Sequence, residues 1–131
     1  MDDKTTRFNQ RMNHFKKSLA LLLGQSQKSN LDPENIAATL YFFEMSFELG
    51  WKLLKDFLAV QGVITKSPRE TLKRAFNMGY LTDGHTWLDM LDARNSIAHA
   101  YDEEVAKALF IKVRADYLHL LQSLEDFTCG D

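Results

Sequence analysis

The sequence predicts an all-α protein, an up-and-down four-helix bundle with one additional short helix. Apolar residues recur at three- and four-residue steps along most of the chain, as a 3.6-residue repeat requires. Residue pairs that start helices recur as well: Asp32-Pro33, Ser67-Pro68 and Asp83-Gly84. Only two prolines and six glycines are spread over 131 residues, which leaves long uninterrupted segments and disfavours a strand-and-turn architecture. The length suits a single helical-bundle domain over residues 1–131.

The first helix is expected from about Lys4 to Gly24, with Phe8, Met12, Phe15, Leu19 and Leu22 on one stripe. Gly24 is its predicted C-cap, and the polar run from Gln25 to Asn30 is the following loop. Asp32, an N-cap carboxylate, and Pro33 then open the longest helix, which runs to about Gln61 and is closed by Gly62. Its apolar residues cover more than one stripe, so it is central to the bundle or buried in a dimer. The short third helix follows Ser67-Pro68, with Glu70 placed for a capping box; Leu72, Ala75, Phe76 and Met78 are its apolar positions and Gly79 its stop. A fourth helix runs from His85 through Ile97 after Asp83-Gly84. Asp102 caps the fifth, from Glu103 to about Phe127, whose stripe includes Leu109, Phe110, Val113, Tyr117, Leu120, Leu121 and Leu124. The stretch Leu58 to Thr65 is a weak candidate strand.

A formal net charge of -2 removes any global attraction for long nucleic acid but leaves room for a local basic groove. The single cysteine, Cys129, permits neither an intrachain disulfide nor a cysteine metal site, and a reducing cytoplasmic setting is the default. The most apolar stretch, Ile36 to Leu58, contains Glu44, Glu48, Lys52, Lys55 and Asp56, which excludes an ordinary membrane span. There is no Gly-rich phosphate loop, and no Gly-Ser followed by Asp-x-Asp to hold magnesium for nucleotidyl transfer. His14, His85 and His119 lack partners at metal-ligand spacing, so neither a metal nor another cofactor is expected.

Chemistry concentrates in Arg94-Asn95-Ser96-Ile97-Ala98-His99-Ala100-Tyr101-Asp102. Asn95 and His99 are four apart, so a continuing helix places them on one face. Arg94 lies about 140° from His99 around an ideal helix, yet its long side chain could swing to the same pocket. An imidazole handles a proton near neutral pH, and a guanidinium fork matches a phosphate or a developing phosphorane. Together they suit phosphodiester cleavage without metal. The plainer alternative is that Arg94 pairs with Asp89, Asp92 or Asp102 and that His99 and Asp102 cap helix ends. A second set, Glu44, Glu48, Trp51, Lys52 and Lys55, has carboxylates one turn apart that could bind a cation or orient the histidine. Its plainer reading is a salt-bridged face crossing a helix neighbour or a subunit boundary.

Arg94-Asn95-x-x-x-His99-x-Tyr101-Asp102 resembles the R-x(4-6)-H motif of the HEPN superfamily. Phe42 to Leu58 is similar to the long-helix signature of one branch, the nucleotidyltransferase substrate-binding proteins related to HepT toxins, and the resemblance extends from about Arg7 to Leu124. It implies a bundle that dimerises so that two motifs form a composite cleft, and a metal-independent ribonuclease toxin of a two-component toxin-antitoxin system. Arg94 and His99 match the catalytic pair and Asn95 the polar residue that often follows the arginine. Tyr101 matches a tyrosine that is AMPylated by a partner nucleotidyltransferase encoded next door. Glu44, Glu48 and Asp102 complete the candidate set in supporting roles. The partners so implied are a second copy of the chain, the small nucleotidyltransferase, and an RNA (tRNA among the candidates) or a nucleotide, with neither DNA nor membrane. Two rival readings stay open: a non-catalytic subunit that binds nucleotide or presents substrate to the transferase, and a dimerisation scaffold.

Overall fold

Four of the helix starts are built from side chains that cap the free N–H groups of a first turn. In a computed structural model describing residues 3–28 and 31–129, Asp32 accepts the Asn35 N–H at 2.8 Å and opens α2 (Pro33–Val60). Ser67 accepts the Glu70 N–H at 3.2 Å and opens α3 (Pro68–Asn77), while the Glu70 carboxylate reaches back to the Lys66 N–H at 2.8 Å. Asp83, in the left-handed region at φ 55°, accepts from Thr86 and opens α4 (Gly84–Ser96). Asp102 accepts from Glu104 at 2.9 Å and Val105 at 3.4 Å and opens α5 (Glu103–Lys112).

Glycines close two of these helices. Gly62 and Gly79 take φ of 86° and 84°, and the next residue in each case, Val63 or Tyr80, donates its N–H five residues back to Leu58 or Ala75 at 2.9 Å. That left-handed closure needs a residue without a Cβ penalty. Gly24 does not play this part. The first helix, α1, spans Asp3–Ser26 and runs through it, extended by the Ser26 hydroxyl bonding the Leu23 carbonyl at 3.0 Å. Of the loop expected from Gln25, Ser29 and Asn30 lie outside the described residues. The candidate strand at Leu58 to Thr65 is the end of α2 and its closing turn, and no strand occurs among the described residues.

The expected last helix is interrupted. After α5 a wider π turn covers Val113–Tyr117, α6 covers Leu118–Ser123, and a 3₁₀ turn covers Leu124–Asp126. The π turn coincides with Tyr117, whose ring is fully buried and stacks on Phe43 at 5.6 Å.

Contacts between helices fix their directions. From one end of α1 to the other, Phe8 meets Phe57, Arg11 meets Asp56, Ser18 meets Ser46 and Gln25 meets Asn35, so α1 and α2 are antiparallel. Tyr117 on Phe43, Leu121 and Leu124 against Gly50, and Phe127 on Phe57 show the C-terminal rod running parallel to α2. Helix α4 runs opposite to both: Tyr80, just ahead of it, packs on Phe57 near the end of α2, Arg94 meets Glu48 midway, and Ile97, just past it, lines a cleft with Ile36 and Leu40 near the start of α2 and with Ala106 of α5, whereas Asp89 meets Tyr117. The result is the expected up-and-down bundle, with α2 in the middle and α3 as the extra short helix. Leu72 and Ala75 of α3 enter the core; Phe76 and Met78 do not, and stand 46% and 40% exposed. No described helix is long and apolar enough to cross a membrane.

Arg11 bonds the Asp56 carboxylate at 3.0 Å, and Asp56 is only 6% exposed. Removing the cation strands a buried charge, so Arg11→Met should cost about 2 kcal/mol in urea unfolding, with Arg11→Lys recovering much of it. A loss within about 0.5 kcal/mol would show that the carboxylate finds water instead.

Candidate active site

The last turn of α4 tightens as it reaches the chemically dense segment. Ser96 bonds back to the Asp92 carbonyl at 3.1 Å, and Ile97–His99 wind as a 3₁₀ turn closed by Ala100 N–H to Ile97 O at 2.9 Å. Asp102 N–H then bonds the His99 carbonyl at 3.1 Å, and the Asp102 carboxylate is committed to capping α5. The nine residues are thus a corner between two helices, held by backbone bonds.

This tightening changes which side chains share a face. A 3₁₀ turn rotates about 120° per residue instead of about 100°, so His99 is carried roughly a quarter-turn away from Asn95 and further still from Arg94. The exposures agree: Asn95 and His99 are exposed, whereas the Arg94 side chain is 24% exposed. No hydrogen bond or ion pair joins Arg94, Asn95 and His99 among the described residues. The corner gathers them in sequence without closing them into one cluster within the chain.

Arg94 turns inward onto α2. Its Nη2 bonds Glu48 Oε1 at 3.2 Å, and its guanidinium carbon lies 5.7 Å from the centre of the Phe47 ring. Glu48 is itself held: its Oε2 accepts from the buried Trp51 indole at 2.9 Å and faces Lys52 Nζ at 3.8 Å. Arg94 Nε is buried and lacks a hydrogen-bond partner, an orphan donor of the kind folded proteins seldom leave. The acids expected to compete for Arg94 are engaged elsewhere: Asp89 with Tyr117 and Lys112, Asp92 with Arg69, and Asp102 as a cap. Glu48 therefore supports the arginine, not the histidine. Glu44, one turn away, is exposed and has no ion pair with the described residues. No group of histidine, cysteine and acidic side chains suited to a metal occurs among the described residues.

Tyr101 is 86% exposed, with its ring 6.5 Å from that of His99 in an edge-on arrangement. It borders a cleft of about 570 Å³ between α2 and the start of α5, floored by Ile36, Leu40, Ile97 and Ala100, with Glu44 and Lys107 among its polar residues. A shallower concavity lies along the outer face of α2 over Tyr41, Glu44, Met45, Glu48 and Leu49. The corner, the cleft and the arginine thus face the same helix.

Comparison with known proteins identifies the scaffold. Residues 10–128 match a family described as nucleotidyltransferase substrate binding protein like. The chain belongs to that family. An alignment of 92 positions, covering 66% of this chain and 63% of the other's length, shows 28% identity to a Haemophilus influenzae protein named probable ribonuclease HepT. A crystal structure of a Thermus thermophilus protein has the same architecture, at 30% identity and a TM-score of 0.79, over 84% of this chain and 94% of that one.

Behind the site, Tyr117 donates to Asp89 Oδ2 at 2.6 Å, a link between residues 28 apart that spacing does not reveal. Burial pushes the phenol well above its ordinary value of 10.0, and the Asp89 hydrogen bond and charge push it the same way. The native state therefore keeps a proton that the unfolded chain releases, so this stabilisation is complete below about pH 10 and is lost as the pH rises above it. Tyr117→Phe should cost about 1 kcal/mol at neutral pH and flatten the alkaline fall in stability, measured by urea titrations from pH 7 to 11. An unchanged alkaline slope would assign that fall to other groups.

Proposed function

We propose that this protein is a metal-independent HEPN ribonuclease toxin whose site is completed in a homodimer and silenced by a partner nucleotidyltransferase. What carries the reading is Arg94: its direction is set by Glu48 and Phe47, and its buried Nε donor is left unspent, while His99 five residues on is exposed. The family match and the name of the Haemophilus relative support it. The function is assigned to one helical domain over residues 1–131, in a reducing cytoplasm.

In the proposed reaction the RNA ribose 2′-oxygen attacks the adjacent phosphorus. His99 accepts the 2′-hydroxyl proton, and the 5′-oxygen leaves with a proton returned by an imidazole or by water, giving a 2′,3′-cyclic phosphate. Arg94 offers N–H donors to the phosphorane oxygens, and Asn95, exposed on the same corner, is placed to bond the substrate. Because Arg94 and His99 diverge within one chain, the working pair is drawn from two copies. The α2 stripe of Tyr41, Met45 and Leu49, flanked by Glu44 and Glu48, is the surface proposed to meet its twin. For silencing, the Tyr101 hydroxyl attacks the α-phosphorus of ATP on the partner enzyme and pyrophosphate departs. The added AMP puts bulk and negative charge beside His99.

RNA cleavage in the presence of EDTA tests the chemistry. His99→Ala should lower the rate at least about 100-fold, the ordinary contribution of a positioned acid or base, and Arg94→Ala should do likewise. Mixed dimers of the two variants should regain activity if the pair is drawn from two copies. Equal cleavage by wild type and His99→Ala, or a strict need for magnesium, would overturn the reading. Mass spectrometry of Tyr101→Phe, treated with the partner enzyme and ATP, should show no AMP adduct where wild type shows one.

A further inference from the structure

An overall charge of -2 is awkward for a protein that must hold RNA, and α3 offers a local solution. Lys66, Arg69, Lys73 and Arg74 crowd its entrance and outer face, all exposed, against a single acid, Glu70. That acid is occupied at the helix start, where its carboxylate accepts the Lys66 backbone N–H at 2.8 Å. Arg69 and Lys73 are four residues apart and share one stripe of the helix, and Lys66 stands just ahead of the Ser67 cap at its entrance.

Phe76 is a second and independent feature of the same face. Its ring is 46% exposed, although Leu72 and Ala75 show that α3 has a core side available. The ring lies against Gly84 so closely that a Cβ there would come within 2.7 Å of it. A glycine at the start of α4 thus provides the seat on which the aromatic ring is held while part of it remains open to water. A cationic stripe ending in a supported, open aromatic ring is the arrangement that binds single-stranded nucleic acid: cations follow the phosphates and the ring stacks on a base.

The face also leads to the site. Arg69 reaches Asp92 at 3.4 Å, and Asn95 is exposed on α4 three residues beyond Asp92. That ion pair is exposed on both sides, so exchanging Asp92 for a phosphate costs Arg69 little. We infer that the outer face of α3, Lys66, Arg69, Lys73 and Arg74 with Phe76, is a docking track for single-stranded RNA that feeds the Arg94–His99 corner. The inference rests on the ribonuclease reading for its direction toward the corner, but its binding step can be measured separately.

The experiment uses the full chain carrying His99→Ala, so that RNA is bound and not cut, and follows a fluorescent 12-nucleotide oligoadenylate by anisotropy across a salt series. Joint Lys66→Gln, Arg69→Gln and Lys73→Gln substitution should reduce the slope of log affinity against log salt by about two, at roughly 0.7 for each phosphate of a single strand that is no longer neutralised. Phe76→Ala should weaken binding about tenfold with little change in slope, the signature of missing base stacking. Circular dichroism checks that each variant is folded, and Lys73→Arg should keep the binding that Lys73→Gln weakens. Wild-type affinity and slope in the triple variant would overturn the proposal. So would a Phe76→Ala chain that binds normally while polyglutamate competes as well as RNA, for the face would then be a general anion surface. A chain that cleaves RNA yet binds independently of α3 refutes the track alone, and one that binds through α3 without cleaving refutes the ribonuclease reading alone.

Discussion

The Glu48 carboxylate is the point on which the candidate site depends, because it ties the far end of a long arginine side chain to the rigid middle of the bundle. Trp51 anchors it from one side at 2.9 Å, and the indole is only 8% exposed. Arg94 binds its other oxygen at 3.2 Å. A free arginine carries about 2 kcal/mol of rotamer entropy, and much of what it would lose on meeting a phosphate is lost in advance when an anchored neighbour holds its fork. Phe47 beneath the guanidinium adds a second restraint without adding charge. Lys52 at 3.8 Å offsets part of the Glu48 charge, so Arg94 is held but not fully neutralised. The pair also explains why α2 occupies the middle: one helix supplies core side chains to α1 and the C-terminal rod and, from its remaining edge, the support for α4.

Much of the architecture could be read because its signals are local. An N-cap carboxylate or hydroxyl followed by proline, as at Asp32-Pro33 and Ser67-Pro68, answers to the geometry of a single turn, and so does a glycine at positive φ, as at Gly62 and Gly79. Gly24 misled because the residue type is only permissive. Ser26 and the Gln25–Asn35 bond of 2.7 Å continue helix α1 past it. Phe76 and Met78 mark the limit of the apolar pattern, since periodicity records that a residue is apolar and not whether neighbours cover it. At the site, the residues of the corner were legible as types, but their partners were not. Arg94 lies 46 residues from Glu48, and Tyr117 lies 28 from Asp89, and no spacing rule reaches so far.

The 3₁₀ winding at Ile97–His99 has the largest consequence for chemistry. A regular helix through His99 would have brought its imidazole near the Asn95 face. The tighter turn directs His99 to solvent and leaves Arg94 behind, half-buried against Glu48. One chain therefore presents an oriented guanidinium and an accessible imidazole that do not meet. Two copies related by a two-fold axis could solve this without refolding, because an isologous contact sets the outward residue of each chain against the inward residue of the other. The open stripe of Tyr41, Met45 and Leu49 beside Glu44 and Glu48 is an apolar surface in the place such a contact needs. On the dimeric reading proposed above, the divergence of Arg94 and His99 is what would make activity depend on assembly, since a lone chain holds the two groups apart.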